Sequence, residues 1–254
     1  MDIFQAIIIG IIEGFTEFLP ISSTGHMIVA SEYLGINQDT LTDAYEIIIQ
    51  FAAILAVMLI YKEKITLKKY KLWMKLLWSF LPLGMVGFVF KDKIARLFTI
   101  DTVAWMFIIG GVVFLIVEYF YKEKTCHTSN VEKVTYMQAM GIGIAQVFSL
   151  IPGTSRSGAT IIGGLLLGLD RKTSSDFSFL LAIPVMISVS GYSLLQNYKA
   201  FMDANYLPFI VGFIVAFVVA YITVKLFLVF IQKFSFVPFG IYRIVFGVFL
   251  LLII

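Results

Sequence analysis

The chain has little of what holds small soluble proteins together. One cysteine among 254 residues, Cys126, excludes an internal disulfide. Only 14% of the residues are charged, against 60% hydrophobic. At a mean hydropathy of +0.95, a soluble fold would have to leave most of its apolar surface in water. Nothing reads GxxxxGK followed by Ser or Thr, so the sequence gives no reason to expect a nucleotide-driven pump. The net charge of +3 has no basic stripe behind it and gives no reason to expect a nucleic-acid partner. With so few ligands nearby, Cys126 and His127 read as ordinary loop residues rather than a metal site.

What the chain does have is hydrocarbon, in long stretches. Apolar runs at about 44–61, 76–90, 103–121, 177–195, 206–231 and 236–254 are each near or above the length of a membrane span. If each crosses once, one side collects thirteen basic loop residues, Lys62, Lys64, Lys68, Lys69, Lys71, Lys75, Lys122, Lys124, Lys133, Arg171, Lys172, Lys225 and Lys233. The other side collects four, Lys91, Lys93, Arg96 and Lys199. The richer side is expected in the cytoplasm and both termini outside. The first 35 residues do not read as a cleavable signal, because their apolar run carries Glu13 and Glu17 and lacks a basic leader. Arg156 and Arg243 are left in apolar surroundings.

Two polar segments interrupt this pattern, EGFTEFLPISSTGH at 13–26 and PGTSRSGAT at 152–160. A charge at the centre of a membrane helix costs about 2.5–3.5 kcal/mol, so Glu13, Glu17 and Arg156 need partners. Sliding the sequence by 133 residues aligns 5–43 with 138–176 at thirteen identities in 39 positions, Gln5, Phe15, Ser22, Thr40 and Asp43 among them. The polar segments are then corresponding parts of two halves, about 1–121 and 134–254, of a single integral membrane domain. Each half has one broken segment followed by three spans. Three is odd, so the second half is expected upside down relative to the first. The expected fold is an all-α polytopic membrane protein with an inverted-topology repeat. It comprises six transmembrane helices and two re-entrant helix–loop–helix hairpins, broken at Pro20–Ser23 and Pro152–Ser155.

The chemistry concentrates in those hairpins. Glu13 and Glu17, four apart, share one helix face. Two carboxylates so close suit a hard divalent cation, Mg²⁺ or Ca²⁺, or a proton- or sodium-coupling pair; spacing alone favours neither. Ser22, Ser23 and Thr24 stand at the start of the next helix, more hydroxyls than one cap requires, and His26 follows within a turn. In the second hairpin, Gly153 to Gly158 opens a helix whose N-terminus favours an anion. Arg156 adds a fork suited to phosphate oxygens, and Ser155, Ser157 and Thr160 add hydroxyls. An anion cradle from one half and a metal, nucleophile and base from the other suit phosphoryl transfer.

These residues resemble the undecaprenyl-diphosphate phosphatase family of the bacitracin-resistance type. The likeness rests on E-x-x-x-E at Glu13 and Glu17, FLPISSTGHM at 18–27, PGTSRSGAT at 152–160, and the RK and FSFLLAIPVM stretches of 171–186. It covers essentially the whole chain in length and span order. The resemblance implies hydrolysis of the C55 polyprenyl diphosphate to the monophosphate, recycling the lipid carrier of peptidoglycan synthesis in a bacterial plasma membrane, with the site on the outer face. It implies that Glu13 and Glu17 hold the divalent cation and that Ser23 attacks the terminal phosphorus with His26 as general base. Ser22 and a metal-bound water remain rivals of Ser23, and Glu17 and Arg156 count with the catalytic group. Ser22, Thr24, Ser155, Arg156, Ser157, Gly158 and Thr160 would hold phosphate. Membrane lipids are the other expected partners, and the oligomeric state, a homodimer included, is left open. The alternative is an inverted-repeat secondary transporter of an anion or lipid phosphate. A two-histidine, metal-free lipid phosphatase fits poorly, since no histidine follows Arg156.

Overall fold

The computed structural model describes residues 1–37, 39–122, 126–196 and 206–253; Lys124 and Lys199 of the loop-charge count lie outside them. Among the described residues there are ten α-helices and no β-strand. In chain order they are α1 Ile3–Thr16, α2 Ser23–Tyr33, α3 Thr40–Ile60, α4 Tyr70–Ala95 and α5 Ile100–Phe120. The second set is α6 Tyr136–Val147, α7 Arg156–Leu166, α8 Arg171–Gln196, α9 Tyr206–Phe230 and α10 Val237–Ile253.

Local sequence explains where these helices start. Asp2 and Gln5 form a reciprocal capping box at α1, and Thr135 and Gln138 form another at α6. Asp39 and Thr99 accept backbone N–H bonds from Thr42 and Thr102 at the heads of α3 and α5. Both polar segments fall where a helix stops and restarts: α1 ends at Thr16 before α2 begins at Ser23, and α6 ends at Val147 before α7 begins at Arg156. With 14 residues in α1, 12 in α6 and 11 each in α2 and α7, none of the four reaches across a bilayer. At about 1.5 Å per residue they fall short of the roughly 30 Å of hydrocarbon.

Five of the six expected spans, α3, α4, α5, α8 and α9, are helices long and apolar enough to cross a membrane. The sixth run is the apolar helix α10, 17 residues over Val237–Ile253. Helix α8 is the centre of the molecule, with 78% of its apolar window buried. Around it α1 packs on α9, α9 on α3, α3 on α8, α8 on α4, and α4 on α6, while α5 and α10 pack on each other. Phe18, Leu19 and Ile21, from the first break, sit in the same core as Phe179 and Leu181 of α8 and Ile161 of α7. The rings of Phe18 and Phe179 meet edge-on at 5.3 Å between centroids. This apolar plug fixes where the break lies, and so where its polar neighbours point.

Two crossings depend on the absence of a side chain. A Cβ on Gly10 would lie 2.9 Å from the Gly212 carbonyl where α1 meets α9, and a Cβ on Gly143 would strike the Ser79 carbonyl where α6 meets α4. Overpacking such a contact costs about 1–3 kcal/mol. Gly143→Val is therefore expected to lower the thermal unfolding temperature in detergent by roughly 2–4 °C per kcal/mol lost. Gly191→Ala, which meets nothing within 4 Å, should leave it unchanged or slightly raised. Equal effects of the two would show that the crossing is not close-packed.

Candidate active site

The first break places a carboxylate against a hydroxyl. Glu13, in the last turn of α1, is completely buried, and neither of its carboxylate oxygens has a hydrogen-bond partner. Glu17 caps the helix, its N–H donating to the Glu13 carbonyl. The chain then turns through Pro20 to Ser22, whose positive φ of 70° reverses it before α2. That reversal brings Ser23 back toward Glu17, and its Oγ donates to Glu17 Oε2 at 2.5 Å.

The second break is built the same way and brings the cation. Gly153 at φ 89° and Ser155 at φ 74° turn the chain into α7. Ser155 Oγ accepts the Gly158 N–H at 3.1 Å, a true N-cap, whereas Ser22 makes no side-chain cap bond. Arg156, first residue of α7, sends Nη2 to Glu17 Oε1 at 3.1 Å and Nη1 to the Ser178 carbonyl of α8 at 3.2 Å. Its Nε has no partner. One carboxylate thus accepts from both segments, Oε2 from Ser23 and Oε1 from Arg156.

A cavity of about 180 Å³ opens on this junction. Its polar wall is Glu17, Ser22, Ser23, Thr24, Ser155 and Arg156, joined by Gln50 of α3 and Ser149. Leu83, Phe98, Val185, Met186 and Val189 supply an apolar rim. Six of the residues expected at the site therefore share one cavity.

Others stand elsewhere. Ser157 Oγ is spent on the Leu19 carbonyl at 2.9 Å, a strut between the two breaks. Thr160 bonds the Arg156 and Ser157 carbonyls and the Ser178 hydroxyl, and Gly158 packs against Phe114. None of these three lines the cavity, and the Ser157 and Thr160 hydroxyls brace its surroundings. His26 also points away from the Ser23 hydroxyl. Its Nδ1 lies 2.7 Å from the Ser22 carbonyl and its Nε2 lies 2.6 Å from the Tyr242 hydroxyl. A carbonyl can only accept, so Nδ1 carries the proton, and in the neutral ring Nε2 accepts from Tyr242. The imidazole stacks on Phe246 and borders a second, largely apolar cavity of about 1030 Å³.

Three residues at or near the site went unplaced in the sequence. Gln50 carries no motif signal. Ser178, which anchors both Arg156 and Thr160, lies inside an apolar run. Arg243 was visible only as an arginine without a partner.

Glu13 and Glu17 offer two carboxylates in one turn, the inner one lacking any hydrogen-bond donor. Glu46 and Arg156 lie within electrostatic reach of Glu13. No cluster of three or more His, Cys, Asp or Glu side chains converges on a point among the described residues. Two carboxylates fit a hard cation held jointly with phosphate oxygens, and do not fit an all-protein cage. The Glu17–Arg156 pair is buried, with side chains 6% and 9% exposed, so removing either member strands a charge. Glu17→Gln and Arg156→Gln should each lower stability by about 3–5 kcal/mol. The double variant should lose much less than the sum; additive losses in thermal unfolding would show the pair uncoupled.

A family model described as bacitracin resistance protein BacA matches residues 6–249 of the chain. An undecaprenyl-diphosphatase of a Sulfurovum species is 72% identical over 253 residues, covering 100% of both chains. Undecaprenyl-diphosphatases of Sulfurimonas denitrificans and Methanococcus aeolicus are 59% and 50% identical. The alignments cover 99% of this chain in both cases, with 99% and 98% of those relatives.

Proposed function

Because the chain belongs to the bacitracin resistance protein BacA family, we propose that the cavity between its two helix breaks is where it hydrolyses its lipid substrate. The chain is a membrane-embedded undecaprenyl-diphosphatase, and that substrate is a polyprenyl diphosphate. The observation that carries the site assignment is the carboxylate of Glu17, which joins a hydroxyl from one break to a guanidinium from the other.

In the reaction we read from this arrangement, the terminal phosphate enters the cavity and takes over the Arg156 fork from Glu17. The Ser23 Oγ attacks phosphorus, and its proton passes to Glu17 Oε2, the acceptor already bonded to it. The bond to the bridging oxygen breaks, and the lipid monophosphate leaves with the electron pair. Water then cleaves the phosphoserine, releasing inorganic phosphate and returning the proton to Ser23. Ser22, Thr24 and Ser155 supply hydroxyls along the cavity wall. His26, bonded to the Ser22 carbonyl, acts on the turn from its other side, and its expected role as base passes to Glu17. Glu13 and Glu17 are the residues that would hold a divalent cation, which when bound supplies charge neutralisation for the diphosphate.

For the chain as a whole we propose the inverted pair: halves of about 1–121 and 134–254, each one re-entrant hairpin followed by three spans. In support, the packing of α1 on α9 recurs as α6 on α4. The Gly10–Gly212 contact recurs 133 residues on and back as Gly143–Ser79. Ser22 and Ser155 share their positive φ. We place both termini and the mouth of the site on the outer face of the bacterial plasma membrane; the loop-charge count supports the termini outside.

Purified protein in detergent should release inorganic phosphate from undecaprenyl diphosphate, and excess EDTA should stop it. Full turnover in chelator would remove the cation. Arg156→Lys should lose about 10²–10³-fold in kcat, since a point charge cannot replace the fork. Ser23→Ala should fall to background; an active Ser23→Ala beside a dead Ser22→Ala would move the nucleophile by one residue.

A further inference from the structure

Arg243, on α10, is completely buried and lies outside the cavity wall. Its Nη1 donates to the Pro20 carbonyl at 3.2 Å, and its Nη2 donates to the Gly153 carbonyl at 2.9 Å and the Met106 carbonyl at 2.9 Å. The guanidinium stands over the Phe107 ring, 5.3 Å from its centroid. A single side chain therefore reaches the backbone of both breaks. Two of the three carbonyls it holds lie two residues before a positive-φ serine, Pro20 before Ser22 and Gly153 before Ser155.

The numbering carries this further. Pro20 and Gly153 are 133 apart, the offset of the sequence repeat, and so are Gly110 and Arg243. The two carbonyls are thus equivalent points of the two halves, and the glycine on α5 is the counterpart of the arginine. A Cβ on Gly110 would collide with the Arg243 guanidinium. The two equivalent positions therefore face each other, and only one of them can carry the long side chain. We infer that Arg243 is a positioning residue on the axis relating the halves: it clamps the equivalent carbonyls of the two breaks and so sets Ser23 against Arg156.

This rests on the reading of the cavity as the catalytic site. Lysine would keep the charge but lose the planar fork that spans both carbonyls. A displacement of about 1 Å at reacting groups can cost 10²-fold in rate. The effect should appear in kcat, since Arg243 holds the backbone of Gly153 at the cavity wall but does not itself line the cavity.

The test is kcat and KM for undecaprenyl diphosphate, measured on full-length protein in detergent beside thermal unfolding. Arg243→Lys should fold and lose about 10- to 100-fold in kcat with little change in KM. Arg243→Gly should lose at least as much, and adding Gly110→Arg, which returns the fork from the opposite helix into the vacated space, should recover about tenfold or more of that loss. An Arg243→Lys enzyme within about twofold of the parent in kcat, or one changed in KM alone, would overturn the clamp. So would a folded Arg243→Gly that the second substitution fails to rescue. If Arg243→Gly does not fold, the lysine variant decides. Arg156→Lys separates the two readings: were it fully active, the site assignment itself would fall, whereas an inactive Arg156→Lys beside an active Arg243→Lys sinks the clamp alone.

Discussion

The rest of the site depends on the carboxylate of Glu17. In a medium with little water, an arginine and a glutamate 139 residues apart cannot be left single, and the Glu17–Arg156 contact at 3.1 Å pairs them. The second carboxylate oxygen then accepts from Ser23. The constraint that makes the buried ion pair tolerable is the same one that fixes a hydroxyl, an acceptor and a cation around one cavity. In the proposed reaction, a substrate phosphate that takes the guanidinium leaves Glu17 facing the serine alone, which would link binding and activation of the hydroxyl through one side chain.

Much of this was legible in the chain because membranes make polarity expensive. Glu13, Glu17, Ser23 and Arg156 stand out against hydrocarbon, and the breaks fall where the prolines and serines place them. The apolar runs give helices at the expected places, although α10 is shorter than its neighbours. What could not be read was direction. Sequence spacing puts His26 within a turn of Ser23, yet the helix turns its ring to the other face, against Tyr242 and Phe246. Ser157, Gly158 and Thr160 share a motif with Arg156, but on a helix their directions diverge, and two of their side chains are consumed in bracing. Ser178 looked like part of a span because a serine bonded inside a helical core leaves no pattern in hydropathy.

Under the inverted pairing proposed here, the offset of 133 makes Ser23 and Arg156 the same position of the two halves. Each is the first residue of a helix restarted after a positive-φ serine. Twofold packing brings equivalent points close together around its axis, so a duplicated hairpin delivers two first-turn side chains to one place. Had both stayed arginine, the charges would repel; had both stayed serine, the cavity would have a hydroxyl and no phosphate fork. In the proposed reaction, the difference at this one equivalent pair supplies both the hydroxyl and the fork. The pattern repeats at Glu17 and Leu150, which line the same cavity as acceptor and apolar wall.

The same logic separates the groups that react from those that hold them. Equivalent positions near an axis compete for the same space, so long side chains must be distributed one to a pair. At Gly110 and Arg243 the space goes to the arginine. At Glu13 and Gln146 both side chains are buried without hydrogen-bond partners, but only the first is a carboxylate able to hold the proposed cation. An unpaired amide in the second half costs far less than an unpaired carboxylate would. A second carboxylate there would have no acidic partner one turn on to share a cation with, since position 150 is leucine. The asymmetry of the proposed site therefore follows from electrostatics: a low-dielectric interior tolerates one acidic pair, which would confine a cation, as proposed, to the half that also carries the serine.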